Sequence, residues 1–467
     1  MIEYNMSVVI PGNLNEIYRN LTGYKRNLVR FYPDRTGAIN PTDTLRWTFP
    51  KEVVSLESLT HFFEFTSIAA GTGTSSTRTG TFFPRNSASI IDTITVFING
   101  AVYENITNYN HLYNLIYDNT AGFNFYQSGI RALECADPSI RYSAADASGN
   151  TITAAVQGAV NTNTTDATAC DYQRKLQIRN WIGFLGTANK IIDLTNTELI
   201  VEIRYAPTNI IFKGAAATSE TAATPSYTIN NYYMTINKIS FDDDSYQMAL
   251  NSLKSSGNYS ITFKTYSSAR SSSVAKTTNP TIQFSTTAKN LSKLYFTFLD
   301  GTYDTISQIQ NTSTTSSFSQ IMADLKTNIN AFNQSKYFQK NAVSLTEIQC
   351  EINGLPVYPY PQSLEQIKNN NLDALELDGN LNAADYPGLY SLESWSKFGF
   401  MMATSFEHYG AWKEGIISGY PNPSGNLLNI KYSCTFKSTA TDNIYLLAYA
   451  ERVVRANFNG SSVSIEY

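Results

Sequence analysis

IIDTITVFINGAVY, residues 90–103, is the stretch that decides how this chain is read. Ile94, Val96 and Ile98 alternate with Thr93, Thr95 and Phe97, so one face of an extended strand is apolar. Asn99-Gly100 follows, two residues that tolerate the positive φ angles of a tight hairpin turn. Behind it Leu112, Leu115 and Ile116 fall at helical spacing after Asn110, which reads as a helix cap.

The pattern returns in VSLTEIQCEINGLPVY, residues 343–358. Ile348, Cys350 and Ile352 stand where Ile94, Val96 and Ile98 stood, and Asn353-Gly354 repeats the turn. A second helix is expected behind it, with Ser363 and Gln366 as a capping box ahead of Ile367, Leu372 and Leu375. LIVEIRY, residues 199–205, closes the first half, and IYLLAYAE, residues 444–451, is expected to hold the same place in the second. Strand, turn, helix and late strand recurring in one order point to a duplicated β domain.

The rest of the chain is organised around that repeat. Residues 1–40 read as an irregular N-terminal arm, 41–240 as the first unit and 241–467 as the second. MTINKISF, residues 234–241, reads as a closing strand, and 242–254 as a short helix behind Asp242, Asp243 and Asp244. Residues 121–173 and 303–340 are expected to be matching surface excursions, the second carrying a helix marked by Ile321, Leu325, Ile329 and Phe332.

Composition agrees with an all-β protein. Of 467 residues only 15% are charged, while Tyr (31) and Phe (25) are abundant and suit half-buried strands. A net charge of −4 argues against bulk nucleic-acid binding. Cys135, Cys170, Cys350 and Cys434 form neither a CxxC pair nor a disulfide framework, so a reducing place of folding is expected. The opening MIEYNMSVVIPGN is not a secretory signal, and no apolar run reaches the ~18 residues of a membrane span.

Chemistry finds little footing. His61 sits among Phe62, Phe63 and Phe65 as a packed strand residue, and His111 and His408 are far from it in sequence. No GxSxG or Walker A motif occurs, and Gly71-Thr72-Gly73 lacks the third glycine of a dinucleotide loop. The three aspartates read as acids at a helix start. No catalytic residue, metal or cofactor is expected. The basic residues Arg19, Lys25, Arg26, Arg30 and Arg35 are candidates for contact with an inner face or nucleic acid, against the plainer reading of a solvated arm docking on a neighbour.

SASIIDTITVFINGAVYENITNYNHLYNLIYD, residues 87–118, together with the closing stretch 426–467, resembles the double jelly-roll major capsid proteins, in flavour those of Polinton-like viruses and virophages. The resemblance implies two eight-stranded jelly rolls side by side. It also implies homotrimers of pseudo-hexagonal outline that tile an icosahedral DNA-virus shell, with the long loops (206–230 among them) outward as towers and the arm at the inner face. Partners would be the chain itself, neighbouring capsomers, penton and minor capsid or cement proteins, and the genome weakly through the arm. The rival readings are a trimeric viral spike or carbohydrate-binding β-sandwich, and a β-rich glycoside hydrolase.

Overall fold

Nine strands from the first half of the chain pair into two antiparallel sheets. They are β1 (Tyr24–Phe31), β2 (Thr44–Thr48), β3 (Val53–Ile68), β4 (Ile91–Ile98), β5 (Ala101–Ile106), β6 (Lys175–Ile178), β7 (Ile191–Asp193), β8 (Leu199–Tyr205) and β9 (Ser226–Phe241). One sheet runs β1-β9-β3, with β6 and β7 both paired to β3; the other runs β2-β8-β4-β5. Nine more strands repeat the plan: β10 (Tyr259–Arg270), β11 (Thr281–Thr287), β12 (Asn290–Asp300), β13 (Leu345–Ile352), β14 (Leu355–Pro356), β15 (Met402–Ser405), β16 (Tyr420–Pro421), β17 (Leu427–Phe436) and β18 (Asn443–Asn459). Their sheets run β10-β18-β12, with β15 and β16 on β12, and β11-β17-β13-β14. Strand for strand the second half reproduces the first, including the split sixth position, β6 with β7 and β15 with β16. Counting that split position once gives two eight-stranded jelly rolls in tandem. The computed structural model describes residues 24–68, 81–82, 86–120, 141–145, 151–155, 175–188, 191–213, 226–241, 245–256, 259–305, 307–308, 336–375, 395–396, 399–408, 418–459 and 462–466.

Each sandwich closes over the face that the repeat marks. Ile94, Val96 and Ile98 are at most 2% exposed, and so are Ile348, Cys350 and Ile352. They pack with Trp47, Phe63, Phe65 and Val201 in the first core, and with Phe296, Phe298, Ile430 and Tyr432 in the second.

Helix α1 (Tyr109–Thr120) follows β5, and α3 (Leu364–Ala374) follows β14; α2 (Ser245–Ser255) links the halves. At α3 the Ser363 N–H donates to Gln366 Oε1 at 2.8 Å, as the capping-box spacing requires. Asn110 does not cap α1. It lies inside the helix and donates to the Ser89 carbonyl at 3.2 Å, tying the helix to the strand entry.

Three expectations change. Tyr24–Phe31, assigned to the irregular arm, is an edge strand paired with β9 along its whole length. Its charged, weakly apolar sequence hides it, but an edge strand needs only a partner's backbone and one packed residue, here Phe31 against Trp47 and Phe49. Residues 444–451 are not the counterpart of 199–205. They lie in β18, which answers β9, while β8 is answered by β17. The burial pattern explains it: β8 alternates buried and half-exposed residues, whereas Ile444, Leu446, Leu447, Ala448, Tyr449 and Ala450 are all buried, so β18 is covered on both faces. Residues 121–173 and 303–340 are not matching excursions either, because the first joins β5 to β6 and the second joins β12 to β13. Within the first, Arg141–Ala145 and Thr151–Ala155 form a hairpin; Asp242 to Asp244 and the stretch holding Ile321 to Phe332 lie outside the described residues.

Antiparallel succession sends the long connections to one end. β3–β4, β5–β6 and β8–β9 leave that end in the first half, and β12–β13 and β14–β15 in the second. The opposite end carries tight turns, such as Asn99-Gly100, Asn353-Gly354 and the two residues between β11 and β12, together with the α2 link from β9 to β10. Both jelly rolls point the same way, since at the loop end Phe212–Lys213 pairs with Thr81–Phe82 of the first half and with Ser307–Gln308 of the second. β1 and β10 both start at the flat end.

The repeated turns are superposable in detail. Asn99 and Gly100 have φ of 49° and 78°, and Asn353 and Gly354 have 51° and 79°. The Asn99 side-chain oxygen accepts from the Glu198 N–H at 2.8 Å, and that of Asn353 from the Asn429 N–H at 2.9 Å. Each asparagine thus tolerates the left-handed turn and clamps the neighbouring strand. Asn99→Ala and Asn353→Ala should each cost ~1–2 kcal/mol, through a lost hydrogen bond and a strained turn, with similar shifts in urea midpoint for the two.

Candidate functional site

The largest interface among the described residues is internal, between the two jelly rolls. The sheet β10-β18-β12 turns its second face onto the first jelly roll. There it meets the end of β5, helix α1 and the single helical turn Phe184–Thr187. Phe263 meets Phe184 edge-on at 5.0 Å, and the Tyr449 hydroxyl donates to the Asn108 carbonyl at 2.9 Å. His111 stacks on Tyr337 at 4.5 Å and packs beside Phe338 and Tyr303. Trp395 Nε1 donates to the Asn119 side chain at 3.1 Å, and Asn119 in turn donates to the Gly399 carbonyl. One continuous apolar cluster therefore runs from the first core through Ile261, Tyr295, Leu447, Tyr449 and Val454.

Charge is buried in this joint. Glu451 is 2% exposed and accepts from the hydroxyls of Tyr266 at 2.8 Å and Tyr295 at 3.0 Å, while Lys264 stands 2.9 Å away. Lys264 also reaches Glu407 at 3.0 Å, and Lys293 lies 3.6 Å from Glu407. Burial alone would raise the Glu451 pKa, but Lys264 and Lys293 hold it down at about 2. Lys254 and Asp193 form a further buried pair at 3.0 Å between α2 and β7.

Glu104 is the opposite case. Both its oxygens accept from the Phe184 N–H, at 3.0 and 2.9 Å, and Gly183 (φ 75°) leaves it room. Burial pushes its pKa up to about 8, against the pull of the Phe184 N–H and the Thr265 hydroxyl, so near neutral pH it is largely protonated.

The remaining sequence candidates disperse. His61 is a core residue, stacked on Phe63 at 5.4 Å with its Nε2 3.3 Å from the Tyr205 hydroxyl, and burial pushes its pKa down to about 4. Cys350 and Cys434 are free, buried thiols on β13 and β17; Cys135 and Cys170 lie outside the described residues. Arg35 pairs with Asp43 at 3.3 Å. Lys25, Arg26 and Arg30 lie on β1, and the Arg30 guanidinium sits 3.9 Å above the Tyr233 ring. Arg19 lies outside the described residues. Among the described residues no group of three or more His, Cys, Asp and Glu could hold a metal, and no helix is long and apolar enough to cross a membrane.

Sequence reasoning passed over Glu104, Lys264 and Glu451, and met Glu407 only as the neighbour of His408. The one available signal was a charge inside an apolar strand, as in LAYAERVV, which needs a buried partner that only the fold identifies.

Two pH effects follow. Glu451 is depressed in the folded state, so its stabilisation is present above the ordinary carboxylate value near 4.5 and is lost as pH falls toward about 2. Unfolding midpoints should drop steeply over that window, and Glu451→Gln should flatten the drop while costing ~3–5 kcal/mol at pH 7 by leaving Lys264 underpaired. Glu104 is raised, so its contribution is present below about 4.5 and fades as pH climbs through about 8. Thermal scans at pH 5 and pH 9 should show a loss that Glu104→Gln abolishes.

Neither the known family models nor the curated proteins match this sequence. Solved structures do. A quasi-atomic model of the PBCV-1 virus capsid is similar at TM-score 0.53 and 11% identity over 96% of this chain and 97% of that one. A cryo-EM structure of the Sputnik virophage is similar at TM-score 0.53 and 10% identity, over 95% and 88%. The Faustovirus major capsid protein gives 0.50 and 10%, over 93% and 90%. At such identity the likeness is one of fold, and it extends over nearly the full length of both chains. The fold of this chain, two parallel jelly rolls of one topology fused through a buried joint, is the double jelly roll of viral major capsid proteins.

Proposed function

We propose that this chain is a major capsid protein, a wall unit of an icosahedral DNA-virus shell that works by geometry and catalyses nothing. The observation that carries the reading is the polarity of the duplicated body. Two jelly rolls of identical connectivity stand in the same direction, with the long connections within each gathered at one end, and tight turns and the α2 link at the other. A body of that kind fits a shell: lateral faces for neighbours, a loop end outward, a flat end inward. The fold shared with the capsid structures of PBCV-1, Sputnik and Faustovirus supports the same assignment.

Three chains would bring six jelly rolls into one ring, giving a homotrimer of pseudo-hexagonal outline that tiles a facet. The contact between chains is heterologous, and a threefold rotation closes it. Penton and minor capsid or cement proteins would complete the shell at the vertices and between capsomers. A spike or lectin-like sandwich gains no support from any site described above.

The direct test is size-exclusion chromatography with light scattering on purified protein. The expected mass is close to three times 51.9 kDa, and negative-stain images should show six-lobed particles. A stable monomer across micromolar concentrations would refute the trimeric capsomer.

A further inference from the structure

Lys276 is fully buried at the loop end of the second jelly roll, where several strand junctions meet. It opens the short helical turn Lys276–Thr278 between β10 and β11. Around it stand Asp300, the last residue of β12; Asn341, in the segment leading into β13; and Asp442, the residue before β18. The Lys276 backbone N–H donates to the Asp442 carbonyl at 3.1 Å, which pins the turn. Its side chain is tucked against the Phe436 ring, whose centroid lies 5.4 Å from Nζ.

The nearest partner of the Lys276 Nζ is not a carboxylate. It is the side-chain oxygen of Asn341, at 2.7 Å; the Val343 carbonyl follows at 3.0 Å and the Asp442 carboxylate at 3.4 Å. Lys264 and Lys254 are held differently, with Glu451 at 2.9 Å from the first and Asp193 at 3.0 Å from the second. Asn341 is engaged on its other side too, its Nδ2 donating to Asp300 Oδ2 at 3.1 Å. Asp300 is itself fixed by the Thr302 N–H at 2.9 Å and the Thr302 hydroxyl at 2.6 Å. An amine, an amide and two carboxylates thus form one chain of contacts, with Asp442 on the amine and Asp300 on the amide nitrogen.

Those contacts are the parts of an acyl transfer. Covalent geometry puts Asn341 Cγ one bond beyond its oxygen, about 3–4 Å from Nζ, close to the range of a near-attack pair. Burial lowers the Lys276 pKa against the pull of Asp442 and Asp300, which enlarges the share of neutral, nucleophilic amine.

We propose that Lys276 and Asn341 join in an intramolecular isopeptide bond between Nζ and Cγ, with Asp442 and Asp300 as the proton-transfer groups. Asp442 takes a proton from the ammonium, and the freed lone pair attacks Cγ. The Nζ–Cγ bond forms and the Cγ–Nδ2 bond breaks. Both protons lost by Nζ depart on Nδ2, Asp300 handing over the last, so ammonium leaves and charge balances. Nothing is oxidised or reduced, and no co-reactant enters. The Asp442 side chain is 60% exposed, which gives the ammonium a way out to water. The step happens once per chain and within one chain, whether or not chains assemble. The bond spans 65 positions and ties the entry of β11 to the entry of β13, anchoring the root of the long β12–β13 connection.

Intact-mass spectrometry of the purified, denatured full chain reads the bond directly. The expected mass is that of the sequence less one ammonia, and a tryptic digest should yield a branched peptide joining the Lys276 and Asn341 segments. Lys276→Arg and Asn341→Ala should each restore the full sequence mass. They should also lower the thermal midpoint by at least ~5 °C, because a loop constraint on the unfolded chain is lost. Asp300→Ala keeps both reacting groups and should likewise stay at full mass. Should a variant fail to fold, the wild-type mass still decides. A wild-type chain at full sequence mass, unchanged after prolonged incubation at neutral pH, overturns the proposal. So does an ammonia loss that survives in Lys276→Arg, which would trace it to cyclised Asn-Gly turns such as Asn99-Gly100.

Discussion

The sheet β10-β18-β12 is apolar on both faces, and the rest of the molecule follows from having to cover it. One face closes the second jelly roll over Phe296, Phe298 and Ile430; the other presents Tyr295, Leu447 and Tyr449. Left in water, that second face would be a large exposed patch, so the first jelly roll must stand against it. The two halves behave as one body for this reason, although each has its own core. A tether alone would have left them free to turn.

Within that apolar joint the charges set direction. Glu451, Glu407, Lys264 and Lys293 satisfy one another only when β10, β12, β18 and the segment after β15 are in register. A buried network of this kind adds little net stability over an apolar substitute, but a slipped register would strand a charge, which is far more costly. The network therefore fixes the register of the second jelly roll's own sheet, the face against which the first jelly roll stands. Glu104, a largely neutral acid, does cross the joint: it holds the Phe184 N–H of its own half and meets the Thr265 hydroxyl of the other.

Much of the fold was legible. Ile94, Val96 and Ile98 returning as Ile348, Cys350 and Ile352 identified the duplicated strand, and Asn99-Gly100 and Asn353-Gly354 its turn, because period-two patterning and positive φ are local demands. Strand β1 was not legible: its residues face solvent on one side, and its pairing is supplied by β9's backbone. The match of β17 with β8 was missed for a related reason. An alternating run states that one face is buried, not in which sheet.

The sequence by itself determined the strands, their inward faces, the two clamped turns and the existence of a repeat, since each depends on neighbours a few positions apart. Tertiary structure alone decided which strand answers which and that the long connections within each jelly roll leave one end. It also decided that Glu104 and Glu451 lie in a shared joint, and that β1 turns Leu28 and Arg30 outward. Those facts depend on contacts between residues hundreds of positions apart, where burial and electrostatics are set by whatever the fold brings alongside. The stretch around Asn99 announced the repeat; that the second face of β18 is covered by the other half could come only from the fold.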